Sequence, residues 1–305
     1  MNVSAVPLLE TLPAHIATVG SGMQVRRALP TKLRRMVGAW CFLDHYGPVP
    51  VPPDDPGMRI GPHPHMGLQT VSWLYSGEVF HRDSLGSKQL IRPGQLNLMT
   101  AGHGISHSEE SPKPHPADLH GLQFWIALPE LRRDGDAAFE HHPALPALKR
   151  DGLDLSLIIG EALGERSPAK VHSPMVGLDI QFKDTGRRRL PLDPAFEHAI
   201  LPIEGKLTVE GLQAEPGNLY YLGSGRDGVL LENEARAHAF LLGGAPFGEE
   251  VLLWWNFVGR STEEMLAARQ EWEGSDGRGD RFGQVQGYEG PRLVAPELTT
   301  RLRAR

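Results

Sequence analysis

Apolar and polar positions along this chain fall into short runs bounded by turn residues, the pattern of strands and not of long helices. Residues 68–74 and 95–100 mix β-branched and apolar side chains, and residues 153–159 and 176–182 read the same way. A frame recurs around them. Ser76-Gly77-Glu78-Val79 leads through a polar stretch to Arg92-Pro93-Gly94-Gln95-Leu96-Asn97-Leu98, then Thr100-Ala101-Gly102. Later, Glu204-Gly205-Lys206-Leu207 leads to Glu215-Pro216-Gly217-Asn218-Leu219-Tyr220-Tyr221, then Gly223-Ser224-Gly225. Strand, glycine turn, hairpin, Pro-Gly turn and strand, read twice, predict two copies of one β-domain. We place them at residues 1–145 and 146–305, joined by a helix-prone, proline-containing stretch at 129–152. Near the end, Ser261-Thr262-Glu263-Glu264 has the form of a capping box. Met265, Leu266, Ala268, Arg269 and Trp272 then predict a helix with one apolar side, and an irregular tail follows from Gly274.

The composition sharpens this picture. With 35 Gly and 26 Pro among 305 residues the chain is turn-rich, while 40% apolar residues exclude a disordered one. The single cysteine, Cys41, rules out an internal disulfide and points to a reducing compartment, where it reads as a buried inert thiol. No basic patch followed by an apolar core opens the chain, and no stretch approaches a membrane span, so a cytoplasmic protein is expected. The net charge is -6, and the basic clusters at Arg34-Arg35, 187–189 and 301–305 are scattered. Direct nucleic-acid binding needs a concentrated basic face, which this chain lacks.

The chemistry sits in two short pairs. His63-Pro64-His65 is answered by His107-Ser108-Glu109. Side chains two apart on a strand share a face, so each pair presents two ligands side by side. One His-x-His among 14 histidines is weak evidence; a second pair on a separate strand is much stronger. Facing each other in a barrel, the two pairs would converge three imidazoles and a carboxylate on one divalent metal: iron, manganese, nickel, copper or zinc. The second copy has no such pairs. Counting back from Gly205 as from Gly77 to His65 reaches Asp193, so the metal belongs to the first copy. His198 and His238 read as ordinary core or surface histidines, with a secondary pocket there left open.

These residues resemble the cupin pattern. Gly57, His63, His65 and Gly77 fit its first motif, while Gln69 stands where the usual glutamate ligand would be. The replacement is itself informative, because the chain is similar to the pirins, a bicupin family whose N-terminal domain binds iron through three histidines and a glutamate. The resemblance rests on Gly38-Ala39-Trp40-Cys41-Phe42-Leu43-Asp44-His45-Tyr46-Gly47-Pro48, on His63-Pro64-His65-Met66-Gly67-Leu68-Gln69-Thr70-Val71, and on Met99-Thr100-Ala101-Gly102-His103-Gly104-Ile105-Ser106-His107-Ser108-Glu109. Trp254-Trp255-Asn256-Phe257-Val258 before the terminal helix adds to it. It implies an all-β fold of two cupin-type β-barrels, each a double-stranded β-helix or jelly roll, with few short helices and a metal-free C-terminal barrel.

It also implies a function. Pirins resemble quercetin 2,3-dioxygenases, in which a flavonol coordinates the metal, a carboxylate takes its 3-hydroxyl proton and dioxygen opens the central ring. Glu109 is then both ligand and candidate base, with Fe(II) the expected ion and the flavonol and O2 the partners. Coordination lowers a carboxylate's proton affinity, so Glu109 must loosen from the metal to act as base. His81, His103 and His45 are within sequence reach as supporting groups or as ordinary histidines bonded to backbone. A competing reading from a different class is an iron-dependent regulator that senses redox state and binds a partner protein. A structural zinc fits less well, since such sites are closed and cysteine-rich.

Overall fold

The computed structural model describes residues 8–20, 22–274 and 281–303. The first seven residues, positions 275–280 of the expected tail, and positions 304 and 305 of the last basic cluster lie outside them. Among the described residues the fold is all-β apart from the helix Thr262–Gly274. Packing gathers the chain into two units.

One unit comprises Ala17–Val25, His45–Pro143 and Gly248–Arg305. A four-stranded sheet runs in the order Arg59–His65, Ile105–Glu110, Val79–Asp83, Lys88–Ile91. A seven-stranded sheet runs Ala138–His142, Leu96–Thr100, Leu68–Ser76, Asp118–Ala127, Trp40–Pro50, Met23–Leu29, His15–Val19. Leu74, Leu119 and Tyr46 from the larger sheet share a core with Val79 and Ile91 from the smaller one. Strand Leu68–Ser76 is buried on both faces for most of its length, so its apolar run is continuous and not alternating.

The other unit comprises Met1–Ile16, Arg26–Asp44 and Ala144–Phe247. Its larger sheet runs Glu10–Leu12, Leu219–Gly223, Glu197–Glu204, Ala237–Gly244, Met175–Phe182, Leu153–Ala162, Ala147–Arg150. Its smaller sheet runs Gly186–Pro191, Gly228–Asn233, Leu207–Val209, Leu212–Ala214. Leu155, Leu178, Ile200 and Leu241 from the first meet Leu190, Leu207, Val229 and Leu231 from the second in one core. At the start of Leu153–Ala162, Leu153, Leu155 and Leu157 are buried while Asp154 and Ser156 are only half-buried, the period of a strand with one face inward.

The internal repeat is present as expected, with Pro93-Gly94 and Pro216-Gly217 both turning on a glycine at positive φ before Leu96–Thr100 and Leu219–Gly223. Two particulars differ. Residues 129–152 form no helix: they make a turn and then the strands Ala138–His142 and Ala147–Arg150. Pairing of Ala138–His142 with Leu96–Thr100 overrides local helix propensity, and Pro143 and Pro146 break the segment. The expected boundary at residue 145 follows the order of the barrels, whereas packing groups residues 248–305 with the first barrel. There Met66 shares a core with Phe257, Met265, Trp272 and Phe282. The helix is capped by Ser261, whose Oγ accepts the Glu264 amide at 3.1 Å. Glu264 reaches back one residue further than a capping box requires, accepting the Arg260 amide at 2.8 Å. Met265, Ala268 and Trp272 face inward, while Leu266 is 43% exposed.

Candidate metal centre

Strand Ile105–Glu110 lies between two partners, and its registers decide which side chains meet. Against Arg59–His65 it sets His107 opposite His63 and Ile105 opposite His65. The register then slips, so that Glu109 meets Ile60 and the extra residue falls at Gly61-Pro62. Against Val79–Asp83 the register is unbroken, with His107 opposite Asp83 and Glu109 opposite His81. Directly paired residues share a face. His63, His65, His107, Glu109, His81 and Asp83 therefore crowd one side of this sheet, and all six are buried.

The three imidazoles converge. One ring nitrogen from each of His63, His65 and His107 lies within 4.8 Å of the other two. Their hydrogen-bond partners assign the tautomers. His63 Nδ1 is 2.8 Å from the Gly61 carbonyl and His65 Nδ1 is 2.9 Å from the Asn256 carbonyl, so both Nδ1 atoms donate and both Nε2 atoms carry lone pairs. His81 Nε2 is 3.0 Å from the Asp83 carboxylate and donates to it, leaving His81 Nδ1 as acceptor. His107 Nδ1, 3.4 Å from His81 Nδ1, then carries the proton, and His107 Nε2 is left with a lone pair.

His65 Nε2 and His107 Nε2, both lone-pair bearing, stand 3.1 Å apart. Two lone pairs at that distance repel unless a cation lies between them. Nitrogens about 2.1 Å from one ion and at a right angle sit about 3.0 Å apart, so the spacing suits a first-row divalent metal.

The electrostatics agree with that fit. Burial holds the pKa of His63 down at about 4, and burial with the neighbouring rings holds His65 and His107 well below the ordinary histidine value. All three are neutral at pH 7, as ligands must be. Asp83 would be raised by burial, but hydrogen bonds from His81 and Ser87 outweigh it and hold its pKa low. An ionised Asp83 fixing His81, which in turn fixes His107, is the outer support that metal-bound histidines usually have. Phe139 stacks on His81 with ring centres 4.4 Å apart, so the unexpected strand Ala138–His142 braces this relay.

Glu109 shares the face but stands outside the three-nitrogen cluster. The Ser72 hydroxyl lies 3.4 Å from its Oε1 and 2.9 Å from Gln123 Oε1. Burial pushes the Glu109 pKa up, against smaller opposing effects of His81 and Ser72. Gln69 is buried and donates to Thr100 Oγ1 at 2.9 Å. Of the supporting histidines, His81 touches the cluster, with its ring centre 5.2 Å from that of His107. The His103 side chain is 58% exposed, 3.8 Å from Asp134, and His45 Nε2 pairs with His120 Nε2 at 2.8 Å. Asp83 was not singled out from sequence, although His81-Arg82-Asp83 is a third pair of ligand type with the same two-residue spacing.

The C-terminal segment buttresses the histidine strand. The Leu293 amide donates to the Pro62 carbonyl at 2.8 Å. A Cβ on Gly61 would fall 2.3 Å from the Pro291 carbonyl, so only glycine admits this approach. The Asn256 carbonyl that orients His65 lies in the turn between Leu252–Trp254 and Phe257–Gly259.

Comparison with known proteins matches this arrangement over both halves. Residues 22–126 fit the Pirin family model and residues 177–277 fit the Pirin C-terminal cupin domain. A Pseudomonas aeruginosa protein, PA1205, provisionally named a quercetin 2,3-dioxygenase, is 48% identical over 97% of this chain and 93% of its own length. Human pirin is 30% identical over 82% of this chain and 86% of its own. A crystal structure of a quercetin 2,3-dioxygenase from Acinetobacter baumannii superposes with a TM-score of 0.93 at 44% identity, covering 97% of each chain. Two cupin barrels in the order these models require, with a histidine triad in the first, make this chain a member of the pirin family.

Proposed function

We propose that His63, His65 and His107 hold one divalent metal with Glu109 as fourth ligand, and that the protein is a quercetin 2,3-dioxygenase-type enzyme that opens flavonols with O2. The observation that carries this reading is the pair of lone-pair-bearing Nε2 atoms of His65 and His107, 3.1 Å apart beside His63. The similarity to the Acinetobacter and Pseudomonas proteins supports the substrate class. Three nitrogens and one carboxylate oxygen suit Fe(II), and also manganese, nickel, copper or zinc. When bound, such an ion supplies Lewis acidity toward a chelating flavonol and open positions for small ligands.

The residues supply the rest. His63, His65 and His107 are held neutral and fixed in one tautomer by the Gly61 and Asn256 carbonyls and by the relay through His81 to Asp83. Glu109 accepts the proton of the flavonol 3-hydroxyl. Burial raises its proton affinity, which suits a base, while coordination would lower it, so Glu109 would serve as base only when free of the ion. Ser72 is placed to hold the freed carboxylate. Both atoms of O2 enter the product and one carbon leaves as carbon monoxide. We take the reducing cytoplasm as the setting, on the ground that Cys41 is buried and in no disulfide.

The test is oxygen uptake by the Fe(II)-loaded protein with quercetin, with carbon monoxide trapped. Uptake matched by carbon monoxide release supports the reading. If protein loaded in turn with iron, manganese, nickel and copper consumes no oxygen with any flavonol, the enzyme reading fails and the redox-sensing regulator takes its place.

A further inference from the structure

We propose that the second barrel carries a ligand site of its own, a pocket for a small neutral phenol built around His198. A cavity of about 380 Å³ lies wholly within residues 144–247. That is within the usual range for small-molecule sites. Val176, Leu178, Leu241 and Phe196 form its apolar wall. The first three come from Met175–Phe182 and Ala237–Gly244, strands of the barrel core, so the cavity continues the barrel interior.

His198 lines this wall and is 1% exposed, yet its Nδ1 makes no hydrogen bond of ordinary geometry among the described residues, and the Phe196 carbonyl two residues back offers the ring only a weak one. Buried polar atoms left in this state are rare, and each asks for a partner. The sheet makes room for the ring. His198 pairs with Gly243 on one neighbouring strand and Gly223 on the other. A Cβ on Gly243 would come within 2.6 Å of His198 Cδ2 and displace the imidazole.

Three features define the ligand. Burial holds the His198 pKa at about 4, against weaker opposing effects of Asp193 and the Phe196 carbonyl, so the ring is neutral at pH 7. A neutral imidazole presents one donor and one acceptor, and a hydroxyl, which is both, satisfies either tautomer, whereas an aryl methyl ether donates nothing and is a weak, shielded acceptor. The charged groups at the pocket are Glu161, Asp193 and Arg150, an acidic balance that disfavours an anion. The Phe196 ring among aliphatic side chains favours an aromatic body over a sugar-like one. None of this depends on the metal or on flavonol chemistry.

The experiment titrates the full-length protein with 4-ethylphenol by calorimetry, beside 4-ethylanisole, which lacks the hydroxyl proton. One saturable site is expected, with the ether and the His198→Leu protein each binding about tenfold more weakly, the loss of one hydrogen bond. The His63→Ala/His107→Ala protein should bind as the wild type does. The wild type also gives a readout that needs no variant: on saturation, the His198 ring nitrogen resonances should move. No saturation by 4-ethylphenol, equal binding of the ether, unmoved His198 resonances, or loss of binding in the double variant would each overturn the proposal.

Discussion

At the scale of single residues the histidine pairs were legible because a strand has a period of two, which turns spacing into direction. The tautomers were not, since they are set by carbonyls and carboxylates distant in sequence, such as Asn256, and by the relay to Asp83. That relay makes a prediction. Asp83→Asn keeps the shape but removes the charge that holds His81, so metal affinity should fall by about ten- to a hundredfold, read by competition with a chromophoric chelator. Unchanged affinity would mean that His107 needs no such support. Glu109→Gln should retain metal, because an amide oxygen can still coordinate, but lose most turnover with quercetin. Full activity would remove Glu109 as base, and His103, exposed beside Asp134, is not placed to succeed it.

At the scale of elements, strands and turns followed from apolar runs and Pro-Gly pairs, but Ala138–His142 did not, because its pairing with Leu96–Thr100 is a tertiary fact. Nor did the docking of the C-terminal helix on the first barrel, since an apolar helix face names no partner. Trp272 is 1% exposed on that face, and its Nε1 donates to the Leu293 carbonyl at 2.9 Å. Trp272→Ala should cost about 3–5 kcal/mol in denaturant unfolding. It should also weaken metal binding, because the segment it anchors supports Pro62 and Gly61 beside His63. Normal metal affinity in a destabilised variant would make the helix structural alone.

At the scale of the whole molecule, two barrels of one design bury different histidines, a cluster of three in the first and His198 and His238 in the second, and the repeat made the first set legible in the sequence. The histidines that the barrels bury also set a pH dependence. His63 and His198 have folded-state pKa values of about 4, below the unfolded value of about 6.5. The unfolded chain therefore binds more protons between those limits, and the stability that each contributes is present above pH 6.5 and lost as the pH falls toward 4. Metal-free protein should lose about 2 kcal/mol for each of the two between pH 7 and pH 5, with His65 and His107 adding in the same direction. Urea unfolding at the two pH values measures this, and His198→Leu should remove its own share. A pH-independent midpoint would contradict the buried neutral state of these rings.

The central claim is a single metal centre in the first barrel, held by His63, His65 and His107. An anomalous-difference map from crystals of the metal-loaded protein tests it most directly. The account predicts one strong peak about 2.1 Å from the Nε2 atoms of all three histidines, with the Glu109 carboxylate drawn toward it and no peak between His198 and His238. A loaded crystal with no peak at the three histidines, or with an equal peak in the second barrel, would contradict it.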